Sequence, residues 1–293
     1  MALTPLGKRF HPSFSVPGKK PTGEVALDRS NPITRNLQAC ITQTNAGIWD
    51  LVTNAGPDDG AGTRTNVVNT KGQGRDYGPG SDFFKTTPAL DSVSAYTFLV
   101  VADFRNYTGW FFSGPFAKTS NYGSTNSFQI FKQGGSGSGN ASTVNHGGAS
   151  SGTITGAQIV GSKSIAVVWD GSSVSAFVDH EKVVDTSLAT APPSGAGWIK
   201  VCSNRDTHDT EATHYLTLVW DRALSDAEAR SVIANPYQVL KPIIPYHYFT
   251  TEPAPSSITG TISTTGDNDT SVASGSIFQA VWARNTNILI GGY

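Results

Sequence analysis

Charge is scarce in this chain. It holds 21 Lys and Arg and 22 Asp and Glu among 293 residues. Charged residues make up 15%, against about 25% in an ordinary soluble domain. The formal net charge of −1 excludes a whole-chain attraction to nucleic acid or to an anionic membrane surface. Methionine occurs once and glutamate five times. Both favour helices, so their scarcity argues against a helical protein. Two cysteines, Cys40 and Cys202, are too few for a disulfide framework, and a reducing compartment leaves them as buried free thiols. No apolar run approaches the roughly 18 residues that a membrane helix needs. The richest stretch, Val239 to Phe249, is interrupted by Lys241, Pro242, Pro245 and His247. The first ten residues carry no apolar signal core, so the chain is expected to be soluble and made in the cytosol.

Glycine, by contrast, is abundant. Its 31 occurrences exceed the roughly 7% of average usage. Together with β-branched and aromatic runs they read as an all-β chain with many turns. Tyr96 to Phe104 reads as a buried strand, and Ser164 to Trp169 as another, closed by the strong turn dipeptide Asp170-Gly171. The chain returns over Val174 to Val178, turns at Asp179-His180 and continues over Lys182 to Val184. Ser127 to Phe131, Trp198 to Val201 and His214 to Trp220 add further strands. Trp169 and Trp220 read as core. Gln133 to Gly156 is a long Gly/Ser/Ala/Asn stretch that reads as a loop, with a weak hairpin as the alternative. One helix is expected over Ala223 to Ala234. Ser225 and Glu228 form a capping box, Ala229, Val232 and Ile233 an apolar stripe, and Asn235-Pro236 a stop.

The ends differ from this middle. Residues 1–32 carry Pro5, Pro12, Pro17 and Pro21, and up to residue 27 Lys8, Arg9, Lys19 and Lys20 stand against Glu24 alone. Proline removes backbone donors, so this segment reads as a basic arm that gains order by lying on another surface. Residues 33–240 form the sandwich and 241–257 a proline-rich linker. Residues 258–293 form a β segment too small to bury a core alone. Assembly contacts are expected from Lys8, Arg9, Lys19 and Lys20 of the arm and from Phe278, Trp282 and Tyr293 of the C-terminal segment.

Two segments carry a family resemblance. Ser164-Ile-Ala-Val-Val-Trp-Asp-Gly-Ser-Ser-Val-Ser-Ala-Phe-Val-Asp179 resembles the central hairpin of the laminin-G-like, concanavalin-A-like jelly rolls. Leu218-Val-Trp-Asp-Arg-Ala-Leu-Ser-Asp-Ala-Glu228 is similar to their closing strand and the helix that follows. With Ala234-Asn-Pro-Tyr-Gln238 and the basic, proline-bearing start, the chain looks like the version of this domain in tailed-bacteriophage structural proteins. The resemblance implies a concanavalin-A-like jelly-roll β-sandwich with one short helix. It also implies a virion component made in the host cytoplasm. Its partners would be other virion proteins, further copies of itself as a homotrimer, and host surface glycans. A tail-associated protein is the first reading. A capsid decoration or head fibre held on the major capsid protein by the terminal segments is the alternative.

Glucanases of this superfamily carry Glu-x-Asp-x-x-Glu, supplying the two carboxyls that glycoside hydrolysis needs. None of the five glutamates sits in that spacing, so no catalytic residue is assigned and no enzyme is expected. Sugars are held by aromatic faces and a few amide or carboxylate groups. Tyr107, Trp110, Asn121, Tyr122 and Asn126 form the candidate glycan set. Asp206, His208 and Asp209 concentrate metal-ligating groups, but their spacing matches no metal motif. No cofactor is therefore expected, with Ca2+ at that loop as the candidate exception.

Overall fold

The computed structural model describes residues 20–21, 25–44, 47–56, 58–59, 64–69, 71–77, 84–86, 93–106, 113–118, 128–132, 141–146, 149–155, 161–187, 199–201, 203–205, 208–209, 211–243, 279–281 and 289–291. The chain divides into two compact units, Met1–Pro245 and Tyr246–Tyr293. The first is an all-β sandwich with one α-helix among the described residues, as the composition and the resemblance predict. Strands are numbered here in chain order. The larger sheet runs β15 (Glu181–Ser187), β14 (Ser173–Val178), β13 (Gly161–Trp169), β8 (Tyr96–Asn106), β19 (Glu211–Trp220), β2 (Leu37–Thr44), β3 (Gly47–Asp50). β6 (Gly72–Tyr77) also pairs with β19, and β5 (Arg64–Asn69) pairs with β6. The other sheet runs β12 (Ala149–Thr155), β11 (Ala141–His146), β10 (Phe128–Lys132), β9 (Ser113–Lys118), β16 (Ile199–Val201), β7 (Phe84–Thr86), β4 (Asp58–Asp59).

The stretch expected as a long Gly/Ser loop is therefore largely a hairpin. β11 and β12 pair antiparallel from Ala141↔Thr155 to His146↔Ala149. The ladder satisfies their backbone groups whatever the side chains. The sandwich also runs further in both directions than 33–240. β1 (Val25–Leu27) pairs with β20 (Leu240–Pro242), so part of the expected arm and the start of the expected linker join one small ladder. In the second unit, β21 (Gln279–Val281) pairs with β22 (Leu289–Gly291).

Period-two alternation sorts the larger sheet's side chains into two layers. Phe98, Val100, Ala102 and Phe104 of β8 face the inner layer, with Ile41, Tyr77, Ile165, Val167 and Val219, and Val201 reaches it from the other sheet. Leu99 and Val101 face outward with Ala166, Val168, Leu216, Leu218 and Trp220. Helix α1 (Asp226–Ala234) covers that outward layer with Ala229, Val232 and Ile233. Trp169 and Trp220 are both buried, as expected.

The motif over Leu218 to Glu228 is a clasp that seats this helix. Trp220 Nε1 donates to Ile33 O at 2.8 Å. Thr97 Oγ1 donates to Arg222 O at 2.8 Å and accepts from Leu224 N at 2.9 Å. Arg222 meets both carboxylate oxygens of Glu228 at 3.1 and 3.0 Å. Glu228 N donates to Ser225 Oγ, and Ser225 N donates back to Glu228 Oε2, completing the capping box. The Arg222 guanidinium holds the Glu228 carboxyl below its ordinary range. The Asp170-Gly171 turn is fixed the same way. Asp170 Oδ1 accepts from the backbone N–H groups of Ser172 and Ser173. Burial opposes ionisation there, but hydrogen bonds from Ser173 and Ser172 prevail and bring the carboxyl down to about 2.

Lys20 departs from the expectation for the arm. Rather than standing exposed for a neighbour, it is 2% exposed. Its ammonium donates to Gln43 O and, at 2.9 Å, to Gln73 O. A buried ammonium requires acceptors, and here two strands supply backbone carbonyls. Lys8, Arg9, Lys19, Phe278, Trp282 and Tyr293 lie outside the described residues.

Ser225→Ala removes the N-cap acceptor. It is expected to cost about 1 kcal/mol of unfolding free energy, measured by urea denaturation, with the β-rich circular dichroism spectrum unchanged.

Candidate functional site

At its far end, the outward face of the larger sheet changes character. Ser162 pairs with Asp103, Asp103 with Thr213, Thr213 with Asp76, and Asp76 with Thr65. Register partners share a face, so these five side chains form one row across β13, β8, β19, β6 and β5. On the inner face, Phe104, Ala212 and Tyr77 enter the core. Alternation alone thus turns the polar residues outward. Adjacent strands lie about 4.8 Å apart, so the row is longer than a single small ligand group.

Hydrogen bonds stiffen the row. Thr213 Oγ1 donates to Asp76 Oδ1 at 2.8 Å. Arg105 pairs with Asp76, donates to Thr213 Oγ1 at 3.3 Å and donates to Tyr77 O at 3.0 Å. Gly74 is required beside it. A Cβ there would come within 2.8 Å of the Tyr215 ring and 2.9 Å of the Thr213 methyl.

Next to the row, where α1 ends, lies a cleft of about 340 Å³. Val101, Ile233 and Pro236 give it an apolar floor, and Lys71, Ser162, Lys163 and Asp179 are among its polar walls. Asp179 sits at the turn expected from Asp179-His180, with φ +54°. Its Oδ1 accepts from Ser164 N at 3.0 Å and its Oδ2 from Lys163 Nζ at 2.9 Å. Arg230 of α1 donates to His180 O, tying the helix to this turn. The helix leaves the sheet uncovered beyond Ile233, because Asn235-Pro236 stops it and a 3-10 turn over Pro236–Val239 follows. The cleft is the edge of that coverage.

Chemically, row and cleft offer hydroxyls, carboxylates and cations at fixed spacing beside a small apolar floor. Two ion pairs lie within it, Arg105 with Asp76 and Lys163 with Asp179. Such a surface exchanges hydrogen bonds with a polyhydroxylated molecule without demanding a charged one.

This surface is not the one expected from sequence. Tyr107, Trp110, Asn121, Tyr122 and Asn126 lie outside the described residues, as does Asp206. His208 and Asp209 form the short strand β18 (His208–Asp209), paired with β17 (Ser203–Arg205). Among the described residues no group of three or more His, Cys, Asp and Glu side chains could hold a metal ion. The missed residues Ser162, Asp103, Thr213 and Asp76 stand about 137 positions apart at the extremes of their shortest bond, Thr213 to Asp76. Only the ladder brings them to one level.

Beneath the row lies a buried imidazole. His214 is fully buried on the inner face, with Nε2 2.8 Å from Thr217 Oγ1. Burial first, and the nearby Lys20 charge second, bring its pKa down to about 3. Cys40 is buried and forms no disulfide, and Cys202 lies outside the described residues.

No protein-family model matches the chain, and no curated protein matches it. Solved structures do. Domain 4 of AbnA, a GH43 extracellular arabinanase from Geobacillus stearothermophilus, in complex with arabinotriose, is 14% identical with a TM-score of 0.51. That match covers 68% of this chain and 98% of the arabinanase domain. Trypanosoma rangeli sialidase in complex with sialic acid is 12% identical with a TM-score of 0.51, covering 70% of this chain and 34% of the sialidase. The binding domain of Paraclostridial Mosquitocidal Protein 1 is 12% identical with a TM-score of 0.50, covering 69% of this chain and 52% of that one. These likenesses show a shared β-sandwich fold, consistent with a concanavalin-like jelly roll.

The buried imidazole predicts an acid dependence of stability. The folded state keeps His214 neutral, while the unfolded chain takes up a proton below its ordinary value of 6.5. The contribution of His214 is therefore fully present above that value and is lost as pH falls towards 3, with a slope approaching about 1.4 kcal/mol per pH unit. Between about pH 6.5 and pH 5 the lowered carboxylates contribute little to this slope. His214→Gln is expected to flatten it there, as read by urea denaturation across that range.

Proposed function

We propose that this chain is a non-enzymatic glycan-binding β-sandwich and a structural component of a tailed-bacteriophage virion. In this reading it is tail-associated and touches host surface glycans. The observation that carries the glycan reading is the outward row Ser162–Asp103–Thr213–Asp76 beside the cleft under the end of α1. Saccharide hydroxyls both donate and accept, and this row offers a hydroxyl at Ser162 and acceptors at Asp103 and Asp76, the latter braced by the buried Thr213. The apolar floor suits the C–H face of a sugar ring. Support from the neighbours is of fold only, but their names point the same way. One is a domain bound to arabinotriose, another an enzyme bound to sialic acid, and the third a toxin's binding domain.

The non-catalytic reading is supported by how the carboxylates are employed. A glycosidase keeps one carboxyl protonated by raising its pKa. Among the described residues the shifted carboxylates, Asp28, Asp170, Asp185 and Glu228, are all drawn down by hydrogen bonds and neighbouring charges. They serve turns, a salt bridge and a helix cap.

The virion reading rests on the resemblance of Leu218 to Glu228 and Ala234 to Gln238. In this reading the terminal segments make the contacts with copies of itself, as a homotrimer, and with other virion proteins. Locating the protein in a particle reconstruction tests it. Trimeric density on the tail is expected, and a place on the head lattice would favour the capsid-decoration alternative.

The glycan reading is tested by screening the full chain on an array of bacterial envelope polysaccharides. Retention of at least one neutral polysaccharide is expected. Asp103→Ala removes a charged acceptor from the row and is expected to weaken binding about tenfold or more, from the 1.5–3 kcal/mol typical of such bonds. Unchanged binding by this variant would move the site to the Tyr107–Asn126 region. An array with no retained glycan would end the glycan reading.

A further inference from the structure

β19 has one edge occupied by β8 along its length, and its other edge is shared. β2 holds Leu216 to Trp220 through Thr42 to Leu37. β6 holds Ala212 to His214 through Tyr77 to Arg75. The handover falls at Tyr215, where β19 bulges against β8 between His214 and Leu216. Among the described residues no ladder joins β2 to β6. Lys20 spans that junction. One ammonium donates to Gln43 O on β2 and to Gln73 O on β6. Its backbone N donates to Lys71 O at 3.1 Å. Gly72 has φ +109°, and a Cβ there would come within 2.7 Å of Lys20 Cβ. The hairpin start is thus shaped around this lysine. Gln73 Nε2 adds one weaker tie across the junction, to Thr44 O at 3.4 Å.

Lys71, to which Lys20 is bonded, also lines the cleft beside α1. We propose that Lys20 is a positioning residue of the binding face: it fastens β6 to β2 and holds the cleft wall at Lys71 in place. The part of this concerning ligand affinity rests on the glycan reading above. The fastening itself does not. A single amine does here the work of a strand pair, since backbone carbonyls of two strands converge on it while each strand keeps its own ladder to β19. A side chain without donors at position 20 removes both carbonyl contacts of the ammonium and leaves β6 held by β5, by β19, by the long Gln73 contact and by the residue-20 backbone N–H to Lys71 O.

The test uses the full chain, with hydrogen exchange and binding of the best polysaccharide from the array. Lys20→Met keeps the aliphatic stem and removes the donors. Amides over 71–75 and 43–44 are expected to exchange at least about tenfold faster, while those of the β13–β14 hairpin keep their wild-type rates. Polysaccharide affinity is expected to fall about tenfold, although Lys20 is buried and touches no ligand. Lys20→Leu, which also removes the donors while keeping apolar bulk, is the second variant and is expected to give the same local pattern. It decides the matter if Lys20→Met exchanges faster everywhere. Wild-type exchange over 71–75 in the variant that stays folded would overturn the fastening. Local acceleration with unchanged affinity would overturn its link to the cleft. If the wild-type chain retains no polysaccharide, the glycan reading fails by itself, and exchange at the Lys71 turn alone decides whether Lys20 holds that wall.

Discussion

The ladder between β8 and β19 is the constraint on which the other parts depend. Each strand has one face in the inner layer and one facing out, and neither can change register without exchanging the two. Phe98, Val100, Ala102 and Phe104 enter the core, which commits Leu99, Val101, Asp103 and Arg105 to the outside. Leu99 and Val101 then require a cover, which α1 provides. Asp103 and Arg105 cannot be covered by an apolar helix face, so the helix must end before reaching them. The clasp at one end of α1 and the Asn235-Pro236 stop at the other fit it to the apolar part of the face. The polar row and its cleft are what remains.

Much of this framework was legible in sequence because it is local. The capping box needs only Ser225 and Glu228, the turn only Asp170 and Gly171, and the helix stop only Asn235 and Pro236. The strand over Tyr96 to Phe104 is apolar enough to be seen alone. β2 was less visible, since Thr42, Gln43 and Thr44 resemble a solvated segment, yet Thr42 and Gln43 are buried. Thr42 Oγ1 donates to Tyr215 O at 3.0 Å, a partner that no local pattern announces. The hairpin of β11 and β12 was hidden by its Gly and Ser content.

The candidate site was illegible for a different reason. Asp76, Asp103, Ser162 and Thr213 are each ordinary polar residues in their own segments. Their meaning comes from register, which depends on a bulge at Tyr215 and on which strand occupies each stretch of β19's edge. Lys20 misled for the same reason. Among prolines and other basic residues it reads as part of an exposed arm. Its burial depends on carbonyls from Gln43 and Gln73, 23 and 53 positions away.

The small ladder of β1 and β20 sets how the sandwich bears a load. Val25 pairs with Pro242 at one end and Leu27 with Leu240 at the other. Val25 and Pro242 therefore leave this ladder side by side, and tension that reaches both peels it open one pair at a time. On the C-terminal side nothing in the described residues intervenes before that pair. On the N-terminal side the pull first meets Lys20, seated between two strands. The two attachments are thus mechanically unequal: one yields by unzipping, the other only by drawing an amine out of the protein interior.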